Sequence, residues 1–485
     1  MSKEKLDLSP DAKVRMSEHL AYGIGGGFAT NAVNLFISGF LIVFYTEIMH
    51  VDPGLAASIV GISKLLDGLS DLVAGRIIDK TRSRFGKTRI WLLRMIPATV
   101  ISVFLIYLMP SNLTGFAQIF YMFITYNLAS TVCYTMTYVS YMTLNGLMTT
   151  NQKSRGLNGG INMVGNVLAS LIGNGTIITL LQKFSTDPSY SAYGDRSGWV
   201  KLLIFWLTIG SIAQLIIVFG THERVKEDSQ EQAGDKEEQK KSDVPFWVTM
   251  KALVTNKYWI YNIIICICIS FLMGSTGSVT SYYITYVVGD AAFYQPFSMI
   301  NTLAMLGSML VGFGFMAKFG KRNSVFIGLM IRAVVSFFPI LSSSKIILIA
   351  AACMSGVGYG LAGCAFASII QDVLTYGEWK NGFSMIGMGN AANSFCNKIG
   401  NSLGTIVLGW VLSFSGYVAG AATQTPEALN GLRFMFIWLP VGFSIISAIA
   451  AWMYNLDKIY PQIEADLKEG KYAPGVVPYE KRNEK

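Results

Sequence analysis

Charge is what this sequence has little of. Of its 485 residues only 14% are Asp, Glu, Lys or Arg, while 52% are hydrophobic; a soluble globular domain is about a quarter charged. So little polar surface cannot cover a water-facing body of this size, which excludes a soluble architecture. Histidine is nearly absent, and His19, His50 and His222 are too dispersed to suggest a metal centre. The six cysteines, Cys133, Cys266, Cys268, Cys353, Cys364 and Cys396, all fall in apolar segments. That pattern predicts small-residue packing, not a disulfide or metal framework. There is no HExxH and no Walker loop, so neither an enzyme nor a bound cofactor is expected. The first 18 residues are polar and charged, which predicts no cleavable leader. The net charge of +9 is expected in basic loops on one side of a bilayer, not on a nucleic-acid surface.

What is present is a series of apolar runs, each long enough to cross a bilayer at about 20 residues. They fall at 20–47, 55–78, 89–110, 115–148, 156–183 and 199–219, then at 258–288, 295–317, 323–342, 345–373, 384–416 and 430–454. The reading is an all-α membrane protein of twelve transmembrane helices in two pseudo-symmetric six-helix halves. The halves are expected at 1–220 and 258–455, with a cytoplasmic linker at 221–257 and a cytoplasmic tail at 456–485. Within the linker, ERVKEDSQEQAGDKEEQKKSD (223–243) is polar and lacks an apolar period, so it reads as flexible. PFWVTMKALVTNKYW (245–259) reads as an amphipathic surface helix. Loop charge sets the orientation. DKTRSRFGKTR (79–89) is densely basic, and Lys153, Arg155, Lys318, Lys321 and Arg322 mark the same side, while MHVDPG and MPSNLTG are poor in bases. Both termini are therefore expected in the cytoplasm of a multi-pass plasma-membrane protein.

The two halves echo each other. Arg84-Phe85-Gly86-Lys87 corresponds to Lys318-Phe319-Gly320-Lys321, Arg94 to Arg332, and FYTEIMHVD (44–52) to YYITYVVGD (282–290). Parallel repeats of this kind build one large class of secondary carriers, whose substrate site lies near the midplane.

The conspicuous exception to the apolar pattern is KLLDGLSDLVAGRIID (64–79). Lys64, Asp67, Asp71 and Gly75 share one helical face. A charge at mid-membrane costs about 2.5–3.5 kcal/mol on insertion scales, and such groups are functional by default. Bound Na⁺ or a proton offsets both the burial and the repulsion between the two acids; an ion pair with Lys64 or a distant lysine is the structural alternative. The pseudo-equivalent stretch MINTLAMLGSM (299–309) has no acid, which favours a dedicated cation site in the first half. Lys398 lies inside the eleventh span among small and polar residues and is placed to pair with the acids or to meet a substrate hydroxyl. Asn31 and Asn34, Tyr134, Thr137, Tyr138 and Tyr141, and Asn162 and Asn166 offer aromatic faces and hydrogen-bonding groups that suit a polyhydroxylated ligand; helix–helix bonding is the alternative for each. Asp79, at a helix end beside Arg84 and Lys87, and the pseudo-equivalent Lys321 and Arg322, read as a cytoplasmic gate built of breakable charge pairs.

These pieces resemble a known family. AYGIGGG (21–27), FYTE (44–47), the paired Asp67 and Asp71, TRSRFGK (81–87), DVLTYGEWKNG (372–382) and Lys398 are similar to the glycoside–pentoside–hexuronide:cation symporters, the melibiose permease group of the major facilitator superfamily. The resemblance implies a twelve-helix carrier that couples a sugar to a monovalent cation. It assigns Asp67 and Asp71 to the cation site, with Thr30 and Asn31 where melibiose-type carriers have a Lys-Asp pair. It links Lys398 to both sites. The span-four Asp and Trp that hold a galactoside fall at Tyr138 and Met142, and a span-ten Trp near Gly363. The cation pattern thus survives and the galactoside pattern does not. The expected function is cation-coupled symport of a sugar, glycoside or uronide by alternating access. An uncoupled facilitator, or a carrier of a non-sugar solute, is the alternative. The expected partners are a small carbohydrate, Na⁺ or H⁺, and the lipid bilayer.

Overall fold

The computed structural model describes residues 9, 13–187, 191, 193–225, 245–341, 344–418, 421, 423–474 and 476. Twelve long helical runs follow one another. They are α1 (Met16–Gly39 and Leu41–Ile48, bent by 42°), α2 (Pro53–Asp79), α3 (Arg89–Tyr107), α4 (Gly115–Met148), α5 (Gln152–Phe184), α6 (Arg196–Gly220), α7 (Lys257–Val288), α8 (Ala291–Phe319), α9 (Lys321–Leu341), α10 (Lys345–Asn381), α11 (Ile386–Phe414) and α12 (Pro426–Lys458). Nine of the described helices are long and apolar enough to cross a membrane, ten with the bent α1. The two others, α2 and α11, have the length but carry polar groups: Lys64, Asp67 and Asp71 in one, Asn393, Asn397, Lys398 and Asn401 in the other. Two short helices complete the set, Phe246–Val254 and Tyr460–Lys468.

Helix ends follow local chemistry. Asp52 accepts from Leu55 N at 2.8 Å with Pro53 at the first turn of α2, and Asp195 accepts from Gly198 N at 2.9 Å to start α6; both satisfy otherwise orphaned N–H groups. α10 stops at Gly382, whose φ of +77° suits glycine.

Two compact units emerge. The first comprises Met1–Ala233 with Gly277–Gln295 and Thr405–Gly431; the second comprises Gly234–Thr276, Pro296–Gly404 and Leu432–Lys485. In the first unit the glycines of AYGIGGG have a packing role. A Cβ on Gly27 would meet the Gly165 backbone at 2.2 Å, so α1 and α5 touch backbone to backbone, as small residues allow in membrane proteins. The far ends of α7 and α11 also belong to this unit through a ring of hydrogen bonds. Thr46 and Tyr282 hydroxyls are 2.6 Å apart, Trp410 Nε1 donates to Ser58 at 2.9 Å, and Ser413 donates to Asp52 at 2.8 Å.

In the second unit the DVLTYGEWKNG segment is bound to the chain's own C-terminal helix. Lys321 pairs with Asp372 at 2.5 Å and lies over the Tyr460 ring at 5.1 Å, while Trp379 Nε1 donates to Asp466 at 3.0 Å.

The repeat seen in sequence has a structural counterpart. Gly86 and Gly320 both hold positive φ, +98° and +83°, a region L-residues avoid. Each is approached by an acid at, or just past, the end of the last helix of its half: a Cβ on Gly86 would lie 2.4 Å from the Glu223 carboxylate, and one on Gly320 3.3 Å from Asp457 Oδ2. Glu223 accepts from Lys87 N, Thr88 N, Thr88 Oγ1 and Arg89 N at 2.7–3.0 Å, and Asp457 from Arg322 N at 3.0 Å. In each half an acid from the end of the last helix therefore caps the third. The π-helical turns Phe44–Ile48 and Tyr283–Val288 form a second matching pair. The start of the stretch expected to be a flexible linker is thus anchored. Glu223 caps α3, Arg224 pairs with buried Glu18 at 2.6 Å, and Arg224 N and Val225 N bond Leu147 O. The charges that suggested solvent have found partners in the fold. The rest of that stretch, 226–243, lies outside the described residues. Glu223→Ala removes the acceptor of four donors and is expected to cost about 2 kcal/mol or more; a lower melting midpoint in detergent, with Glu223→Gln intermediate, checks it.

Candidate functional site

Asp67 and Asp71 lie at mid-length of α2, both half-buried. Facing them is a π-helical segment of α4, Leu128–Tyr134. The wider turn brings two consecutive hydroxyls to one carboxylate. Thr131 Oγ1 is 2.6 Å from Asp67 Oδ1, and Ser130 Oγ donates to Oδ2 at 3.1 Å. Such π-turns recur at functional sites because they redirect side chains that a regular helix would send elsewhere. Thr131 also stands 3.0 Å from Asn127 Oδ1, and Asn127 Nδ2 donates to Ser63 Oγ at 2.8 Å. Thr131 has one proton for two acceptors. It serves either Asp67 or Asn127 at any one time.

One turn before Asp67, Lys64 is buried, and its Nζ donates to Thr405 Oγ1 at 3.0 Å. Thr135 adds a hydroxyl 3.4 Å from Ser70 Oγ, on the same α2–α4 contact. Tyr134 and Tyr138 stack at 5.9 Å along α4, close enough for Asp67 and Asp71 respectively to act on them electrostatically. Tyr138 and Met142, each 41% exposed, present an open face.

Not every expected residue joins this cluster. Thr30 is buried and bonds back to Gly26 O at 2.8 Å. Asn31 faces α5, donating to Asn166 Oδ1 at 3.1 Å and accepting from Ser170 at 3.2 Å. Thr137 bonds back to Cys133 O at 2.9 Å. Tyr141 is buried against Tyr22, with ring centroids 4.6 Å apart, and its hydroxyl lies 3.0 Å from Tyr22 O and 2.8 Å from Asn162 Oδ1, either of which it can serve. Asn34 is exposed and carries no described bond of its side chain. Lys398 is half-buried in the second unit beside Asn397, which accepts from Ser270 at 2.7 Å. Of the gate residues, Asp79 pairs with Lys87 at 3.8 Å but is 67% exposed, and Arg84 is exposed; such a pair contributes about 0–1 kcal/mol. Lys321 is held by Asp372, and Arg322 lies over the Trp452 ring at 5.6 Å. Gly400-Asn401-Ser402-Leu403-Gly404 has the spacing of a hydrolase nucleophile turn, but it lies inside α11. Its glycines pack on the Ile267 and Phe271 carbonyls, so it is helix packing.

Sequence reasoning missed Ser130, Thr131, Asn127 and Glu47. The first three are ordinary polar residues whose alignment depends on the π-turn. Glu47 stood within a quoted motif: it is fully buried and accepts from Tyr286 Oη at 2.6 Å and from Tyr417 Oη.

A family model described as MFS/sugar transport protein matches residues 21–458. The chain belongs to that family. Within it, the chain belongs with the glycoside–pentoside–hexuronide:cation symporters of the major facilitator superfamily. The isoprimeverose transporter of Lactiplantibacillus pentosus is 28% identical over 94% of this chain and 92% of its own length. The glucuronide carrier protein homolog of Escherichia coli K12 is 24% identical over 89% and 91%. Among solved structures, a D-xylose-proton symporter superposes with TM-score 0.59 at 13% identity, covering 90% of this chain and 97% of that one. The nucleoside transporter NupG gives 0.62 at 12%, covering 91% and 100%; at such identities the likeness is one of fold. The protein is a multi-pass membrane carrier for sugar-class solutes coupled to a cation, and not an enzyme.

Proposed function

We propose that this carrier moves a glycoside, pentoside or uronide across the plasma membrane together with one Na⁺ or H⁺, with both termini cytoplasmic. The observation that carries the reading is the Asp67 carboxylate clasped by Thr131 and Ser130, one turn from buried Lys64. An all-oxygen set of carboxylate and hydroxyls suits a hard monovalent cation. Lys64 sits on the same helix face and serves as a resident positive charge while the cation is away. Asp71, one turn on, supplies the second carboxylate. Tyr134 and Tyr138 offer stacked faces beside the acids for a sugar ring, with Lys398 assigned to the substrate side. The steps are binding of the cation, ordering of the sugar by the neutralised site, and exchange of access from one side to the other.

The test is counterflow in reconstituted vesicles with labelled pentoses, disaccharides and uronates, with and without a Na⁺ or H⁺ gradient. Gradient-driven accumulation is expected; equal exchange regardless of either gradient returns the reading to a facilitator. The hydroxyl clasp gives a finer test. Thr131→Val keeps the shape and removes the hydroxyl, so the cation concentration for half-maximal uptake should rise about 10-fold or more, as for one lost hydrogen bond to a charged group. Thr131→Ser should stay near wild type. Equal cation dependence in all three would remove Thr131 from the site.

A further inference from the structure

Asn127 does not touch Asp67, yet its orientation beside the acid's hydroxyl partner is fixed. It lies one turn before Thr131 on α4 and is half-buried. Its Nδ2 donates at 2.8 Å to each of two groups, Ser63 Oγ on α2 and Phe123 O on its own helix. A backbone carbonyl can only accept, so Phe123 O decides which end of the amide is which. The amino end faces Phe123 and Ser63, and the oxygen end faces Thr131, with Oδ1 3.0 Å from Thr131 Oγ1. Ser63 is fully buried one turn before Asp67. The amide is therefore anchored to the same helix that carries the acid.

The contact of 2.6 Å between Thr131 Oγ1 and Asp67 Oδ1 has the length of a hydroxyl donating to an ionised carboxylate. Occupation of the acid reverses what it asks of its neighbour. A cation on that oxygen stands where the hydroxyl proton points, and a protonated carboxyl group donates where the anion accepted. In both cases Thr131 stays beside Asp67 as an acceptor only if its own proton goes to another group. The fixed amide oxygen of Asn127 is within reach, and turning the O–H bond toward it moves no heavy atom. The charged and titratable groups around Asp67 are Lys64 and Asp71 on α2 and Tyr126 and Tyr134 on α4; none of them is altered by a change at Asn127.

We propose that Asn127 is the positioning residue of the cation site: its amide oxygen takes the Thr131 proton when Asp67 is occupied and gives it back when Asp67 is empty. The inference rests on the reading of Asp67 as the cation site and adds the residue that lets its hydroxyl partner serve both states. The empty site is held by Thr131 donating to Asp67, and the occupied site by Thr131 donating to Asn127. Loss of the amide oxygen therefore weakens the occupied state alone, and does so only through the hydroxyl at position 131.

The experiment titrates Na⁺ calorimetrically into the full-length protein in detergent, and in parallel measures proton uptake on acidification, with no sugar present. The cation followed is the one that binds wild type and not Asp67→Asn. Asn127→Leu, close in volume and without the oxygen, should weaken its binding about 5-fold, as for one neutral hydrogen bond. Asn127→Ser, whose hydroxyl stops one atom short of the amide oxygen, should do the same and carries the test if Asn127→Leu fails to fold. The decisive readout is the dependence on position 131. The loss should persist beside Thr131→Ser, which keeps the hydroxyl, and vanish beside Thr131→Val, because residues that act through one shared bond are not additive. An equal loss in the Thr131→Val background means that Asn127 supports the helix contact by packing, and overturns the proposal. So does wild-type affinity in both Asn127 variants while Asp67→Asn still abolishes binding, an outcome that leaves the cation-site reading intact. Binding that is absent from wild type, or unchanged in Asp67→Asn, overturns the cation-site reading and this proposal together.

Discussion

Asp67→Asn is expected to abolish cation-driven accumulation while leaving the protein inserted and folded. The asparagine keeps the volume and offers an oxygen to Thr131, whose hydroxyl lies 2.6 Å from the native carboxylate. It removes the charge that the coupling cation needs. Loss of a charge-assisted contact of about 1.5–3 kcal/mol lowers cation affinity by about 10- to 150-fold. It also leaves Lys64, buried one turn earlier with Thr405 as its hydroxyl partner, without the nearest acid on its own helix face. A second variant, Asp67→Asn with Lys64→Gln, relieves that imbalance. It should recover protein yield and not coupling. Uptake against a Na⁺ or H⁺ gradient, measured beside equilibrium exchange, separates the two effects. Full accumulation in Asp67→Asn would remove this carboxylate from the coupling site and leave Asp71 to carry it.

Much of the architecture was legible because a bilayer imposes a strong constraint. The twelve apolar runs and the two basic glycine turns could be read from composition and spacing. The structure adds what makes the turns alike: Glu223 and Asp457 each cap the third helix of their half. Glu223 was hidden in a charge-rich stretch that reads as solvent-exposed, because composition does not reveal which charges have partners. The site was legible at its centre and not in its surroundings. Two acids four residues apart stand out in an apolar helix. Ser130 and Thr131 do not, since neighbouring residues on a regular helix diverge by 100° and only the π-turn at Leu128–Tyr134 lets both reach Asp67. Polar residues on helices were also harder to divide into functions. Tyr138 stays on an open face, whereas Tyr141, three residues on, is buried under Tyr22. Sequence periodicity places both on similar faces, and only the neighbouring glycine, Gly26, decides that Tyr141 packs inward.

The second large effect is expected at Glu47. Its carboxyl group is fully enclosed and accepts from two phenols, Tyr286 at the end of α7 and Tyr417 just beyond α11. Around it, Tyr417 packs edge-on against the Tyr282 and Tyr286 rings, with centroids 5.5 and 5.6 Å away, and Tyr193 lies 2.9 Å from both Ser281 and Thr285 hydroxyls. These contacts hold the ends of α7 and α11 within the first unit, at the end of the helices away from the basic loop 79–89. Opening to that side requires that they part. Glu47→Ala removes the acceptor that buried Tyr417 and half-buried Tyr286 share, a loss of about 3 kcal/mol or more if each bond is worth at least 1.5. A carrier's states differ by only a few kcal/mol, so the population should move by more than about 100-fold toward an arrangement in which these ends are separated. The checkable result is thiol labelling of cysteines placed at Ser281 and Ser413, slow in the parent and fast in Glu47→Ala, with cation-driven uptake reduced because the closed state is no longer favoured. Glu47→Gln, which keeps an acceptor for one phenol, should fall between the two. Slow labelling in both variants would mean that the aromatic packing alone holds the ends together and that the carboxyl group is not the clasp.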